Sequence, residues 1–342
     1  MPSTILLRDS QSDTGKVPFS TRYKSPDIIT YNQVNNPTEF FSSNYNADPN
    51  IVVEPQNNNF IYARVKNIGD EASGEVYVNL YANHLSLYMD PRKWENNRVP
   101  TVRGNNYSTI SKVNPGQIAA TDDYFLFNAQ KYNGNCCFVC SAGSEKNPDY
   151  SWINTRDKYF NWVANNPNVA TRNMVTSYNY TIKQFEDLLN ISNNYDDEAA
   201  VIFEVSAFNL PNGTTYGIKC DTLNINKSVK YDSNTPSSQK FLDNAYLPAN
   251  YDNYISLYGE LPSGVTKWPN EAYITVAARV AFTSSIANDT SSFVHKILTY
   301  KYDTEIFSKK LIKPLTEKPT ANFSSGIVLG VSLGECGHIY KE

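Results

Sequence analysis

Between Asn59 and Tyr81 two runs of alternating apolar and polar residues flank a charged, glycine-containing turn. In the first, Ile61, Ala63 and Val65 alternate with Tyr62, Arg64 and Lys66. In the second, Val76, Val78 and Leu80 alternate with Tyr77, Asn79 and Tyr81. Period-two patterning of this kind predicts two strands, each with one buried and one wetted face, and Asn67-Ile68-Gly69-Asp70 between them predicts a hairpin. A second such pair is expected from Ala200–Phe208 and Tyr216–Leu223 about the turn Pro211-Asn212-Gly213. Further strands are predicted at Tyr124–Phe127, Tyr254–Leu257, Ala272–Phe282, Phe293–Tyr302 and Ile327–Leu333. The clearest helical pattern is Thr181–Asn190, with Thr181 as N-cap and Ile182, Phe185, Leu188 and Leu189 on one face. A short helix is also expected within Tyr150–Ala164, and an irregular arm over Met1–Asn36.

Composition agrees with a chain made mainly of strands. Its 342 residues suffice for two domains or one large one. Only 19% are charged, 13% are aromatic, and 25 Tyr accompany many Asn, Ser and Thr, which favour strands over helices. The net charge of −4 and the absence of a basic run longer than Lys309-Lys310 speak against nucleic acid or an anionic membrane as partner. No apolar span reaches the ~18 residues of a transmembrane helix. The start MPSTILLRDSQSD lacks the basic and apolar regions of a secretory signal. The expectation is a chain made without such a signal, which accumulates in the cytoplasm or leaves by a non-classical route to act outside the cell.

The strand pair at Asn59–Tyr81 resembles that of bacterial immunoglobulin-like domains of the cell-adhesion-related, CARDB type. Upstream, Leu6–Gly15 (LLRDSQSDTG) and Ser25-Pro26-Asp27-Ile28 are similar to the leader that precedes such domains. Downstream, Asn135–Cys140 resembles their hydrophobic-Cys-hydrophobic strand, and Asn165–Asn173 their Asn-rich segment, with Thr171 where the family usually has Trp. The resemblance covers about the first half of the chain. It implies an all-β, immunoglobulin-like β-sandwich and says little about activity, because such modules accompany many functions. The domain plan expected is an N-terminal arm over residues 1–36, a sandwich with long loops over 37–228 and a smaller β-unit over 229–342. The polar stretch Asn224–Lys240 marks the boundary.

Candidate chemistry is sparse. Five cysteines, three of them crowded at Cys136, Cys137 and Cys140, read as reduced structural thiols, with Cys220 and Cys336 free to pair in an oxidising compartment. His84, His295 and His338 occupy no hydrolase or zinc-protease motif. Asp9, Asp13 and Asp27 are the candidate oxygen ligands for calcium, set against the commoner use of such residues in Asx turns. The glycines at 326, 330, 334 and 337 fit a final strand better than a phosphate loop. No catalytic set and no cofactor are expected. Trp94, Tyr150, Trp152 and Trp162 are the candidate binding-surface residues, since aromatic rings on loops give adaptable contact surfaces. The function expected is a non-enzymatic binding or assembly module, in host interaction or toxin delivery, whose partner is a further copy of itself, a cell-surface protein or a glycan. The alternatives are a β-type pore-forming or insecticidal toxin with Ala281–Tyr300 as inserting hairpin, and a carbohydrate-binding accessory module.

Overall fold

The computed structural model describes residues 4–19, 24–51, 53–54, 57–84, 97–132, 136–153, 156–174, 176–177, 183–193, 198–234, 238–282, 304–308 and 327–339. Strand is the main secondary structure among the described residues, beside two short α-helices. Two compact units divide the chain, the first ending at Met174 and the second holding the described residues from Thr176 onward.

The first unit contains β1 (Ile5–Leu6), β2 (Ile28–Tyr31), α1 (Pro37–Ser43), β3 (Asn58–Asn67), β4 (Val76–His84), β5 (Ser108–Ile110), β6 (Ile118–Ala120), β7 (Phe125–Asn128), β8 (Cys136–Gly143), α2 (Arg156–Asn165) and β9 (Val169–Met174). Its first sheet is built on β3, which pairs along one edge with β2 and β1 and along the other with β7 and β6. Its second sheet has the order β5-β4-β8-β9. Ile61, Ala63 and Val65 from one sheet and Val78, Leu80, Phe138 and Cys140 from the other meet in a single core, which makes this unit a β-sandwich.

Both strands expected at Asn59–Tyr81 form, but they do not pair. β3 and β4 lie in different sheets, so the segment between them is an arch across the sandwich. Each strand has an apolar row that needs a facing sheet, and crossing to the opposite layer buries both rows against each other. Asn67, fully buried, holds the arch: its Oδ1 accepts from the Gly69 N–H at 2.9 Å and its Nδ2 donates to the carbonyls of Glu71 and Val113 at 2.7 and 2.9 Å.

The other side of β3 is also dry. Tyr62 and Arg64, expected in water, are fully buried, because α1 covers that face with Phe40 and Phe41 and the arm with Val34, beside Ile29 of β2 and Ala120 of β6. Pro37 starts α1 at a position where a missing N–H costs nothing. Thr38 and Ser42 then serve the exposed edge of β6. The Ala120 N–H donates to Thr38 Oγ1 at 3.0 Å, and Ser42 Oγ donates to the Ile118 carbonyl at 3.0 Å. The arm is therefore integral to the sandwich: it supplies β1 and β2 to the sheet of β3 and leads into α1.

The second unit contains β10 (Thr176–Ser177), β11 (Gln184–Asn193), β12 (Ala199–Phe208), β13 (Thr215–Cys220), β14 (Ile225–Lys230), β15 (Gln239–Leu247), β16 (Tyr251–Glu260), β17 (Tyr273–Phe282), β18 (Thr304–Ser308) and β19 (Ile327–Ile339). One sheet runs β10-β19-β17-β12-β15 with β18 on β19, and the other runs β11-β16-β13-β14. They pack face to face. Phe185 of β11 and Ile274 of β17 fill the space where Gly259 of β16 lacks a side chain, and the ring of Tyr216 on β13 lies 5.8 Å from that of Phe241 on β15.

Several expectations change here. The boundary expected at residues 224–240 lies inside the second unit, as β14 and the approach to β15, and this unit is as long as the first. The second expected hairpin is another arch, since β12 and β13 belong to different sheets. The helix expected over Thr181–Asn190 is replaced, from Gln184, by β11, paired with β16 along all ten residues. Phe185, Leu188 and Leu189 fit a helical period and Phe185, Leu189 and Ile191 a period of two, and an isolated ten-residue helix is marginal against a full ladder and a core to face. The glycine-containing C-terminal segment forms strand β19. Phe293–Tyr302 lies outside the described residues, as does all but the first two residues of Ala281–Tyr300.

Candidate binding surface

The leader residues converge on one buried cluster. Asp27 and Arg64 are fully buried and Arg8 nearly so. Asp27 Oδ2 accepts from the Arg8 backbone N–H at 3.0 Å and from Arg8 Nε at 2.8 Å, while Oδ1 accepts from Arg8 Nη2 and Arg64 Nε, both at 2.7 Å. Every lone-pair direction of the carboxylate is thereby used. Arg64 also donates from Nη1 to the carbonyls of Phe41 and Asn44, and from Nη2 to those of Pro26 and Ala47. The Arg8 guanidinium lies 3.5 Å from the centre of the Tyr45 ring. Burial pulls Arg8 toward losing its proton, but the hydrogen bond and charge of Asp27 outweigh this and raise its pKa. Burial and the negative charge of Asp27 push Tyr45 up to about 12.

Asp9, Asp13 and Asp27 are not gathered about a shared vacancy for an ion. Asp13 accepts from the backbone N–H groups of Asp9 and Gly15 at 3.0 and 2.8 Å, the geometry of turn chemistry, and Asp27 is committed to arginine. Burial raises the Asp13 carboxyl despite those two bonds. Among the described residues no group of three His, Cys, Asp or Glu is placed to hold a metal.

The aromatic candidates separate. Trp94 lies outside the described residues. Tyr150 and Trp162 pack together at 4.6 Å, and Tyr150 meets Tyr81 at 6.1 Å. They pin α2 over the outer side of the second sheet, and Trp162 is buried. Trp152, 48% exposed, is free to meet a partner. Cys136, Cys137, Cys140 and Cys220 are buried thiols. Cys137 Sγ donates to Asn173 Oδ1 at 2.7 Å, and burial pushes Cys136 and Cys140 well above the ordinary thiol range. Cys220 is a free thiol beside Thr222 and Tyr251 on the four-stranded sheet, whereas Cys336 belongs to a strand of the other sheet.

A surface that sequence reasoning missed lies on the outer face of the four-stranded sheet of the second unit. Because Leu189, Ile255, Leu257, Tyr216 and Ile218 point into the core, the alternate residues point out. Along β16 these are Tyr254, Ser256 and Tyr258, flanked on β11 by Glu186, Leu188 and Asn190 and on β13 by Gly217 and Lys219. Leu188 is 57% and Tyr254 50% exposed. The ring of Tyr258 lies over its cross-strand partner Gly217, where a Cβ would stand 2.8 Å from both Cζ and OH of the tyrosine. Lys219 Nζ donates to Glu186 Oε1 at 2.8 Å diagonally across β16, between the two tyrosines. Hydrogen bonds from Lys219 and Ser256 hold the Glu186 carboxyl below its ordinary value, and the same carboxylate raises Lys219. The one cue in the sequence was Leu188, whose place on an outward row becomes visible only when the segment is read as a strand.

No family model matches the chain, and no curated protein matches it. Among solved structures, a transglutaminase of red sea bream aligns with 67% of this chain at 9% identity and a TM-score of 0.21. The alignment spans 28% of that protein's length. Among the described residues no helix is long and apolar enough to cross a membrane.

Proposed function

We propose that this protein is a non-catalytic binding module whose contact surface is the outer face of the sheet β11-β16-β13-β14. The observation that carries the reading is the pairing of exposed apolar groups, Leu188 and Tyr254, with a preset polar pair, Glu186 and Lys219, on a ladder without bulges. A rigid sheet presents such groups with little loss of side-chain freedom on binding, since Tyr has few rotamers and the ion pair is already formed. The resemblance of the first unit to cell-adhesion-related domains favours a partner on a cell surface. The test is binding of labelled protein to intact bacterial and animal cells, measured for the wild type and for the Leu188→Asp/Tyr254→Ala variant. Saturable binding that the variant loses supports the reading. Absence of binding, or binding that the variant retains, refutes it.

Assembly with further copies is a second reading, favoured by β11. Among the described residues it is an edge strand, regular over ten residues, and such edges accept another strand. Light scattering at rising concentration tests it: a constant mass near that of one chain removes it.

A further inference from the structure

We propose that the ligand of this face is a neutral saccharide chain, seated along β16 on the rings of Tyr258 and Tyr254 and fixed between them by the Glu186–Lys219 pair. The inference rests on the reading of the face as a binding surface and names its ligand class. Three features carry it.

The first is the posture of Tyr258. Its ring lies over Gly217, the one outward position of β13 in this region without a side chain. A tyrosine laid over a cross-strand glycine in this way is held by the hydroxyl end of its ring, and Tyr258 leaves part of that ring plane open, being half-buried. The apolar C–H face of a pyranose stacks on such a plane, whereas a protein side chain is generally received in a pocket.

The second is spacing. Tyr254 and Tyr258 are four residues apart on one strand, which separates their Cα atoms by about 13 Å. One sugar ring cannot reach both, so the pair selects a chain of sugars lying parallel to β16. Ser256, midway on the same row, is buried and serves the Glu186 carboxylate, so the contact between the tyrosines falls to the ion pair.

The third is charge. Glu186, Asp252 and Glu260 on the outward rows are set against Lys219 and Lys230, and the central Lys219 and Glu186 neutralise each other. A polyanionic chain would meet no net positive field. The ion pair, half exposed at both ends, keeps unused ammonium hydrogens and carboxylate lone pairs side by side. That arrangement suits adjacent hydroxyl groups, each both a donor and an acceptor.

The experiment is affinity electrophoresis of the full chain through gels containing β-glucan, xylan, mannan, galactan or soluble chitin, with heparin and alginate as anionic comparators. Titration of the best oligosaccharide follows. Retardation by at least one neutral polymer is expected, with Tyr254→Ala and Tyr258→Ala each weakening binding at least tenfold at an unchanged melting temperature. Glu186→Gln should also weaken binding, since it removes the anchor of Lys219. No retardation by any neutral polymer overturns the proposal, as does retardation that the double tyrosine variant keeps. Retardation by heparin or alginate alone overturns it in favour of ion exchange. If the protein binds cells through this face yet no saccharide competes, the saccharide inference fails while the binding-module reading stands.

Discussion

Replacing Arg64 by Met tests the buried cluster that joins the arm to the sandwich. Methionine keeps most of the apolar stem and removes the charge, the bond to Asp27 and the four bonds to the carbonyls of Pro26, Phe41, Asn44 and Ala47. Asp27 would keep Arg8, so the carboxylate is not left wholly unpaired. Breaking one partner out of a buried charged network costs about 3–5 kcal/mol, and stranding several carbonyls places the change toward the upper part of that range. For a unit of this size the melting temperature should fall by roughly 10 °C. The assay is urea unfolding at neutral pH with calorimetry beside it, following the transition of the first unit. Arg172→Gln is the control. It breaks an arginine–aspartate pair with Asp48 that is 15% and 41% exposed, where a loss of about 0–1 kcal/mol is expected. A loss below about 1 kcal/mol for Arg64→Met would refute the argument that this cluster locks the arm in place.

Three other outcomes follow from the same geometry. Trp162→Ala should destabilise the first unit by about 3–5 kcal/mol, because it empties a buried site under α2, whereas Trp152→Ala should stay within about 0.5 kcal/mol; equal losses in chemical denaturation would contradict the packing described. Cys136, Cys137, Cys140 and Cys220 should resist an aromatic disulfide reagent in the native protein and react in urea, since burial keeps them from water and holds Cys136 and Cys140 protonated; rapid native labelling of any of them, located by mass spectrometry, would refute this. The Asp48 carboxyl is pushed up by burial, but the charge of Arg172 and hydrogen bonds from Arg172 and Asn50 bring it below its usual 3.8. A carboxyl with a lowered folded pKa stabilises above its unfolded value and loses that contribution as pH falls through the folded one. The stability difference between wild type and Arg172→Gln should therefore hold from about pH 8 to 5 and shrink below about pH 4, and a difference that grew in acid would have the wrong sign.

Glycine- and asparagine-containing turns, period-two rows and the scarcity of helix formers determined the all-β class and most strands of both units. They did so because alternation reports a local fact, that one side of a strand is dry. The arches, the buried side of β3 and the identity of β11 depended on partners remote in sequence. Tyr62 and Arg64 look like a wetted row until α1 and the arm lie on them. Arg8, Asp27 and Arg64 look like unrelated charges until three elements bring them within 3 Å of one another. Phe185–Ile191 fits two periods equally, and the choice fell to β16, which offers ten residues of unpaired backbone. The open face could not be read for the same reason. A row of Tyr254, Ser256 and Tyr258 is three ordinary residues in the chain, and becomes a surface only when Gly217 and the Glu186–Lys219 pair are set beside it. Local periodicity is fixed by covalent geometry and travels with the sequence, whereas which face meets which, and what is left over to meet a ligand, is settled by the burial of all the others.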